Sequence, residues 1–442
     1  FTYAPAAGFV GDDQFTYRVS DGLEFSGPAT VTVRVHALLE VVAATPAAHG
    51  SSAGASPTAE VTFSRGLLPA SLTGRVTFVG ALTGTRGFNA VVDGAQLRLT
   101  PGAPFLAGEQ VTVTVHAGIE GAGLSRLDRP HTWQFHVAAP RGGAHFTRAA
   151  AGASTGLFSE FAAAGDLNGD GLPDVVTWNR DSFPTVYLNQ GGGVFAERSE
   201  SLGATHPGFL GFPPVLADFD GDGRLDVVLL LRKDSPFGGL LTDLRLGLND
   251  GAGGFPVTRA LPTSTTGGTY IPRVLLAGDF DGDGDLDLLA GAAAGVWLLR
   301  NDGTGHFTLD EAGFLATADV RGGAVGDLNH DGRLDAYLVG NSGDQVLINQ
   351  GDGRFALLPQ TLNTSAALTV ALRDFNGDGH LDALVGTTAY QVPNPLWIND
   401  GTGRFRRGGF DLEISPTLAV AGGGPERGRP PGVWEAQTPG GG

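Results

Sequence analysis

The sequence predicts an all-β protein in which two β-sandwiches precede a β-propeller. Three observations carry this prediction. First, 71 glycines and 26 prolines among 442 residues separate short apolar runs, which favours strands and turns over long helices. Second, one nine-residue acidic pattern occurs five times. Third, its copies begin 47 to 61 residues apart, a period typical of propellers and other repeat folds.

Residues 1–37 match the last strands of a β-sandwich. Phe15, Tyr17 and Val19 alternate with polar residues, as one strand with a single buried face requires. The segment Phe9–Gly22 resembles the C-terminal part of bacterial cadherin-like Ig domains. The resemblance covers only the later strands of such a domain, so we expect exposed strand edges and low stability for this part alone.

Residues 39–138 are predicted to form a complete second sandwich. Val111, Val113 and Val115 alternate with threonines in one strand, and Trp133 and Phe135 alternate in the last one. The order of strands and turns is similar to Ig-like domains of bacterial surface-layer and adhesion proteins. We therefore expect the two sandwiches to act as a stalk, followed by a short linker rich in glycine and proline.

From residue 144 to residue 422 the chain repeats a four-strand unit, and four strands at this period predict a propeller blade. The acidic pattern separates two short apolar strands. A third strand leads into a second motif, Asn-(Gln/Asp)-Gly-x-Gly-x-Phe, and its Phe opens a fourth strand. Five full blades and part of a sixth are expected. The copies of the second motif are Asn189–Phe195, Asn249–Phe255, Asn301–Phe307, Asn349–Phe355 and Asn399–Phe405.

These units resemble the FG-GAP and VCBS repeats of integrin-type β-propellers. The resemblance rests on runs such as AGDLNGDGLPDVV from Ala164 and LADFDGDGRLDVV from Leu216, and it extends over all ten motif copies. In that family the acidic loop joins two strands of a blade and binds calcium. The resemblance therefore implies about five calcium ions, one for each full blade.

The acidic pattern itself, Asp-x-(Asn/Asp)-x-Asp-Gly-x-x-Asp, is suited to a hard cation. Alternate side chains of a tight loop converge on one centre, and ligands that are all oxygen favour calcium. We expect side-chain ligands at positions 1, 3, 5 and 9 and a backbone carbonyl at position 7. The predicted ligands are Asp166, Asn168, Asp170, Leu172, Asp174, Asp218, Asp220, Asp222, Arg224, Asp226, Asp279, Asp281, Asp283, Asp285, Asp287, Asp327, Asn329, Asp331, Arg333, Asp335, Asp374, Asn376, Asp378, His380 and Asp382.

Two alternatives compete with this interpretation. An EF-hand needs a bidentate Glu at position 12 and flanking helices, but position 12 lies inside apolar runs, as at Leu229 and Leu338, so the EF-hand is excluded. A turn of Asp, Asn and Gly that binds nothing is the simpler alternative, and five aligned copies with Asp at position 9 favour calcium. Gly at position 6 predicts a positive φ. His330, in place of the usual Gly at position 4, is expected to strain its loop.

No catalytic site is predicted. Gly152–Gly156 matches Gly-x-Ser-x-Gly, but it lacks the strand, turn and helix that present such a serine, so we interpret it as a chance match. His306, His330 and His380 are interpreted as scattered solvent-exposed histidines. No organic cofactor is expected.

Trp178, Trp297 and Trp397 fall in predicted strands and are interpreted as core residues, with sugar stacking at the propeller rim as the alternative. The repeated Phe of the second motif is interpreted as a residue that packs the blades.

Composition limits the partners. The formal net charge of −18 argues against a nucleic-acid surface, and the lack of cysteine excludes disulfides and thiolate metal sites. No apolar run is long enough for a membrane helix. The chain has no methionine and no secretory signal at its start, so we interpret it as an internal piece of a longer protein.

The predicted function is that of a non-catalytic, calcium-binding protein of the extracellular space or the bacterial cell surface. Its propeller would serve as a scaffold for adhesion, or for binding a protein or glycan whose identity the sequence does not give. The alternative is an accessory or carbohydrate-binding module of a secreted enzyme whose catalytic domain lies elsewhere.

The C-terminal end departs from the repeat. Leu418–Gly422 fits the first strand of a sixth unit, but Gly423 begins a stretch without the acidic pattern. We expect residues 423–442 to be disordered or aberrant, through truncation or a reading-frame error.

Overall fold

A computed structural model of the protein describes residues 4–6, 9–50, 52, 54, 56–138, 159–179, 184–199, 213–234, 240–265, 268–269, 272–293, 295–315, 317, 319–388, 392–412, 417–422 and 433–437. Within these ranges the regular structure is β-strand apart from one 3₁₀ turn at Pro69–Leu72, which confirms the all-β prediction. The same ranges contain no helix with the length and apolar character needed to cross a membrane.

The first segment is a single antiparallel hairpin of β1 (Gly11–Tyr17) and β2 (Ala29–Val35). Its apolar side chains find little cover, and Leu23 and Phe25 in the connection are 93% and 72% exposed. Two paired strands alone bury little apolar surface.

The second domain is a sandwich of two four-stranded sheets. One sheet has the order β4-β5-β9-β8 and the other β13-β10-β6-β7, and a small sheet β11-β12-β3 closes one end. The core lies between the two large sheets, where Val61, Phe78, Leu97 and Phe135 are fully buried. The strands are β3 (Ala37–Leu38), β4 (Val41–Thr45), β5 (Ala59–Phe63), β6 (Val76–Gly80), β7 (Gly84–Thr85), β8 (Phe88–Asp93), β9 (Gln96–Pro101), β10 (Gln110–Val115), β11 (Glu120–Gly121), β12 (Ser125–Arg126) and β13 (His131–His136).

Five sheets follow, and in each the main strands pair antiparallel in chain order, which confirms four strands per blade. Blades 1 and 2 are β14 (Ser159–Gly165), β15 (Asp174–Asn179), β16 (Thr185–Asn189), β17 (Phe195–Ser199), and β18 (Val215–Ala217), β19 (Asp226–Asp234), β20 (Leu240–Leu248), β21 (Val257–Ala260). A hairpin of β22 (Ser264–Thr265) and β23 (Gly268–Thr269) follows. Blade 3 is β24 (Val274–Gly278), β25 (Asp287–Gly291), β26 (Val296–Asn301) and β27 (Phe307–Leu315).

Blades 4 and 5 continue the pattern. Blade 4 carries one additional strand, β32, which pairs with β30 beyond the end of β31. The strands are β28 (Val320–Gly326), β29 (Asp335–Gly340), β30 (Ser342–Asn349), β31 (Phe355–Leu357), β32 (Leu362–Ser365), then β33 (Ala367–Arg373), β34 (Asp382–Thr387), β35 (Asn394–Asn399) and β36 (Phe405–Leu412).

The first strands of successive blades lie side by side, from β14 through β18, β24 and β28 to β33. Apolar side chains of neighbouring blades share one core. Leu230 and Leu244 of blade 2, for example, pack with Leu288 and Leu299 of blade 3. This arrangement places the five acidic loops, each directly after a first strand, on one face of the propeller.

A further pair of strands follows blade 5. β37 (Thr417–Gly422) packs beside β33 and pairs antiparallel with β38 (Val433–Gln437). The expectation that residues 423–442 are disordered or aberrant stays a prediction. Residues 423–432 and 438–442 lie outside the described residues.

The second sandwich lies against the face that carries the acidic loops. The Asp166 amide donates a 2.7 Å hydrogen bond to the Leu82 carbonyl, and the Thr132 amide donates one of 2.7 Å to the Gly332 carbonyl. This position differs from the separate stalk expected for it. Both of these hydrogen bonds join backbone groups, for which the sequence holds no pattern.

Candidate metal centre

Each acidic loop connects the first and second strands of its blade. The position-6 glycines have φ between 79° and 106°, in the left-handed region that favours glycine, as predicted. They are Gly171, Gly223, Gly284, Gly332 and Gly379. At position 4 of the fourth loop, His330 has φ 60°, so a residue with a Cβ occupies the conformation that glycine takes elsewhere.

The Asp at position 1 folds the loop around its own carboxylate. In loop 1, Asp166 Oδ1 accepts hydrogen bonds from the amides of Gly169 and Asp170, and Oδ2 accepts one of 3.0 Å from Gly171. Loops 2, 4 and 5 repeat the bond from the position-6 amide to Oδ2. The loops are thus held in a closed shape by backbone donors.

Loop 3 departs from this pattern. Asp279 Oδ1 accepts a 2.7 Å bond from the Gly282 amide, whereas Oδ2 is buried with no hydrogen-bond partner. The Asp279 side chain is only 7% exposed. A buried carboxylate oxygen without a partner is costly, and a bound cation would compensate it.

Loops 2 and 3 carry Asp at position 3 and bring three carboxylates together. In each, one oxygen from positions 1, 3 and 5 lies within 4.8 Å of the others. In loops 1, 4 and 5 the Asn at position 3 instead donates from Nδ2 to the position-5 carboxylate at 2.8–2.9 Å. Oxygens at this spacing on one side of a loop fit a hard divalent cation.

The Asp at position 9 has a structural role in every described blade. One of its oxygens accepts from the position-2 amide of its own loop and the other from the amide of the Asn that opens the glycine turn, at 2.7–3.3 Å. All five residues are fully buried: Asp174, Asp226, Asp287, Asp335 and Asp382. Position 9 therefore ties the acidic loop to the turn, in addition to the ligand role predicted for it.

The sequence predicts that position 7 contributes only its backbone carbonyl. In loops 2 and 4 the position-7 side chain, an arginine, also makes hydrogen bonds. Arg224 Nε donates to the Asn249 carbonyl at 2.9 Å, and Arg333 Nε donates to the Asn349 carbonyl at 2.8 Å. Each guanidinium also pairs with the position-5 carboxylate of its loop. These arginines therefore also connect a loop to the turn of its own blade.

Burial raises the pKa of several loop carboxyls. The pKa of Asp226 and of Asp279 rises to about 7, and that of Asp287 and of Asp335 to about 8. Removal from water is the largest cause, and repulsion from neighbouring carboxylates acts in the same direction. A divalent cation would favour the ionised form of the same groups.

Comparison with family models agrees with this geometry. Residues 166–229, 279–338 and 327–385 match the FG-GAP-like repeat, residues 36–137 match a bacterial Ig-like domain, and residues 1–34 match a bacterial Ig domain. The chain carries FG-GAP-like repeats and bacterial Ig-like domains. All three repeat matches begin at position 1 of an acidic loop. The cadherin-like character of the first segment stays a prediction.

A search of curated proteins found no match to the chain. Among solved structures, a lectin from Agrocybe aegerita that recognises non-reducing terminal N-acetylglucosamine aligns at 18% identity and TM-score 0.41, covering 82% of this chain and 96% of the lectin. The BP39L lectin from Burkholderia pseudomallei aligns at 14% identity and TM-score 0.39, covering 77% and 99%. TM-scores this low carry no argument about ligand or activity.

The glycine turn of each FG-GAP-like repeat contains a link between blades that sequence reasoning missed. The turn Asn of blades 2 to 5 donates from Nδ2 to the position-2 carbonyl of the preceding acidic loop at 2.8–2.9 Å. The pairs are Asn249 with Leu167, Asn301 with Phe219, Asn349 with Phe280 and Asn399 with Leu328. We call this contact the Asn latch. In blade 1 the Asn189 Nδ2 bonds to Pro173 of its own blade.

The repeated Phe packs across the same boundary. Phe307 of blade 3 lies edge-on to Phe219 of loop 2, and Phe355 of blade 4 lies edge-on to Phe280 of loop 3, both with ring centroids 5.6 Å apart. This confirms the packing role expected for the Phe. The second Gly of the motif favours this packing as well, because Gly353 has φ 68° and a Cβ there would lie 2.4 Å from the Leu298 side chain.

One interpretation of the histidines is wrong. His330 and His380 are not scattered, since His330 Nε2 lies 2.6 Å from His380 Nδ1 across the boundary between blades 4 and 5. Neighbouring loops on one face bring position 4 of one loop to position 7 of the next. His306, with a side chain 65% exposed, fits the solvent-exposed role.

Of the tryptophans, Trp297 and Trp397 are 3% and 7% exposed and belong to the core as predicted. Trp178 lies in β15, but its side chain is outside the described part of the structure. Gly152–Gly156 also lies outside the described residues.

Proposed function

We propose that the five acidic loops bind calcium and that the protein is a non-catalytic, extracellular scaffold for adhesion or ligand binding. FG-GAP-like repeats and bacterial Ig-like domains are typical of such scaffolds. The observation that supports calcium best is the convergence of three carboxylates in loops 2 and 3, with Asp279 Oδ2 buried and unpaired.

Positions 1, 3 and 5 of each loop would hold the ion, with the position-7 carbonyl and the position-9 carboxylate completing the oxygen set. The ion supplies positive charge to carboxylates that otherwise repel one another. Extracellular modules bind calcium with a Kd of about 10⁻⁴–10⁻³ M, which suits the calcium-rich environment outside a cell. The metal is structural in this proposal, and no chemical step depends on it.

Calcium titration of the EDTA-treated full chain by calorimetry tests the proposal. We expect about five sites with submillimolar to millimolar affinity and a rise in melting temperature on saturation. The variant Asp279→Asn should lose one site, whereas Asp93→Asn, at the exposed end of β8 in the Ig-like domain, should keep all of them. Absence of binding up to 10 mM calcium (about ten times the weakest expected Kd) would contradict the proposal.

The two buried tryptophans bear on the glycan alternative. Trp297 stacks on Phe314 with ring centroids 5.1 Å apart, and Trp397 Nε1 donates to Thr364. Both rings serve the blade cores and do not offer a face to a sugar. A ligand of this scaffold would therefore bind through other residues.

A further inference from the structure

One sheet of the Ig-like domain has two buried faces. Trp133 and Phe135 of β13 point into the sandwich core, yet Thr132 and Gln134, which alternate with them, are only 4% and 6% exposed. Thr114 of β10 is equally buried and hydrogen-bonds to Thr132 at 2.9 Å. Polar residues on the outer face of a sandwich are normally solvated. Here the propeller covers them.

The cover extends over the centre of the propeller. A cavity between the two bodies is lined by Thr112 and Gln134 of the Ig-like domain and, opposite them, by Leu225, Ala277 and Val325 of blades 2 to 4. Ala277 and Val325 belong to the first strands β24 and β28, and Leu225 belongs to loop 2. The Ig-like domain therefore lies over the first strands and the loops of blades 2 to 4.

The five acidic loops are not covered equally. A Cβ added to Gly282 would lie 2.3 Å from Pro130, and one added to Gly332 would lie 2.5 Å from His131. Gly84 of the Ig-like domain contacts loop 2, because a Cβ added to Gly84 would lie 3.3 Å from the Gly223 carbonyl oxygen. Loop 1 meets the domain at its first position, where the Asp166 amide donates to the Leu82 carbonyl. The corresponding glycines of loops 1 and 5 nevertheless have nothing within 4 Å: Gly169, Gly171, Gly377 and Gly379.

Two side chains of the Ig-like domain reach position 1 of covered loops. His116 Nδ1 faces Asp279 Oδ2 at 3.7 Å, and both atoms are buried without a hydrogen-bond partner. His116 Nε2 lies 3.3 Å from the Thr77 hydroxyl, which orients the ring. In loop 2 the Thr85 side chain acts on Asp218 and favours the ionised form of that carboxyl.

We propose that the Ig-like domain is a cap on the loop face and that its seating and calcium binding at loops 2 to 4 reinforce each other. His116 and Thr85 act as positioning residues for Asp279 and Asp218. This inference rests on the calcium binding proposed above. Seating the cap removes Asp279 from water with an unpaired oxygen, and a calcium ion offsets that cost. Calcium bound at the covered loops therefore favours the seated cap. By linkage, the seated cap must tighten calcium binding at those loops by the same factor by which calcium favours seating.

The experiment uses the full chain with two introduced cysteines, Val91→Cys in the Ig-like domain and Val257→Cys in blade 2. Both sites are about half exposed, and the chain contains no other cysteine, so spin labels attach only there. Pulsed EPR measures the distance between the labels in calcium and in EDTA, and calorimetry measures calcium affinity in the same samples.

Thr112→Glu places a negative charge between the cap and the loops without touching the sandwich core. Thr100→Glu, on the exposed face of β9 in the opposite sheet, is its matched control. We expect a narrow distance distribution in calcium and a broad one in EDTA. Thr112→Glu should broaden the distribution even in calcium and weaken the covered sites about tenfold, within the usual range of coupling between sites. Thr100→Glu should do neither.

Single-residue variants assign the effect to particular loops. Asp279→Asn should broaden the distance distribution in calcium, whereas Asp374→Asn, in the uncovered loop 5, should leave it narrow. His116→Ala should weaken one calcium site, and His306→Ala, on an exposed turn, should weaken none. A positioning role predicts this change in affinity, which a role in sandwich folding alone would not produce.

The outcomes separate the two proposals. If calcium binds to about five sites but the distance distribution is the same in calcium and EDTA, the cap proposal is wrong and the calcium proposal stands. Equal effects of Asp279→Asn and Asp374→Asn would also overturn the cap. If no calcium binds, the proposed function fails and the coupling fails with it.

Discussion

At the scale of single residues, the buried carboxylates of the propeller are held by different donors. The position-9 aspartates accept a backbone amide on each oxygen. Asp344 in blade 4 receives side-chain donors instead, with the Tyr337 hydroxyl at 3.1 Å and the Thr364 hydroxyl at 2.7 Å on Oδ2. Its Oδ1 is buried without a partner. Burial is the main cause that raises the pKa of Asp344 to about 7.

Because the pKa of Asp344 is raised in the folded state, we expect the free energy of unfolding to depend on pH. The folded state holds the Asp344 proton more tightly than the unfolded state, whose carboxyl keeps its ordinary value of 3.8. Protonated Asp344 therefore stabilises the folded state. This contribution to the free energy of unfolding is fully present below pH 3.8 and is lost as the pH rises through about 7. Asp344→Asn keeps the shape and the acceptor without the charge. We expect it to match the wild type near pH 4 and to be more stable by about 4 kcal/mol at pH 8, because each unit between the two pKa values contributes about 1.4 kcal/mol.

Urea unfolding at pH 4, 6 and 8, with calcium held at saturation, measures this difference. Asp93→Asn, at the exposed end of β8, is the control and should not gain stability as the pH rises. A variant that is equally destabilised at all three pH values would show that Asp344 contributes as an ion and not as a neutral acid.

At the scale of structural elements, the glycine turn does more than reverse the chain. The Asn301 side chain donates to Phe219 of the preceding loop and to Leu286 of its own loop, and its Oδ1 accepts from the Gly305 amide. The same turn sequence in blade 1 leaves Asn189 with a partner only inside its own blade among the described residues. The two positions form a natural pair for measuring the Asn latch.

We expect Asn301→Ala to lower the free energy of unfolding by about 2–3 kcal/mol, because it leaves two buried carbonyls without a donor. Asn189→Ala removes a half-exposed bond and should cost about 1 kcal/mol or less. Urea unfolding in saturating calcium measures both. Equal losses in the two variants would indicate that the turn, and not the link between blades, accounts for the stability.

The sequence predicted the strands, the loop and the turn of each blade because each depends on residues within one repeat. The Asn latch was missed for the opposite reason, since Asn301 bonds a carbonyl 82 residues earlier and a carbonyl carries no sequence signal. The pair His330 and His380 was missed in the same way. The cap was missed because Thr132 and Gly332 meet through backbone atoms. The ligand positions of the acidic loops stay predictions, with the geometry of loops 2 and 3 in their favour.

At the scale of the whole molecule, every Asn latch runs the same way along the chain, from the turn of one blade to the acidic loop of the blade before it. Loop 1 is held by Asn249 of blade 2, and each later loop up to loop 4 is held by the following blade. Within the part of the chain that the structure describes, blade 1 holds no preceding loop, and Asn189 bonds Pro173 instead. Blade 3, by contrast, is joined to a neighbour on each side through Asn301 and Asn349. The blades therefore differ in how many contacts must break before they open.

Hydrogen exchange measured by mass spectrometry should reveal this difference. In saturating calcium we expect peptides from β15 and β16 of blade 1 to exchange at least tenfold faster than peptides from β25 and β26 of blade 3, since opening blade 1 breaks the latch of one boundary and opening blade 3 breaks those of two. Asn349→Ala should raise exchange in blade 3 toward that of blade 1, and Asn189→Ala should leave blade 3 unchanged. The opposite outcome is uniform exchange across the blades, with each variant changing exchange in all blades equally. It would show that the propeller opens as one cooperative unit. The latches would then contribute to its total stability but not to the order in which blades open.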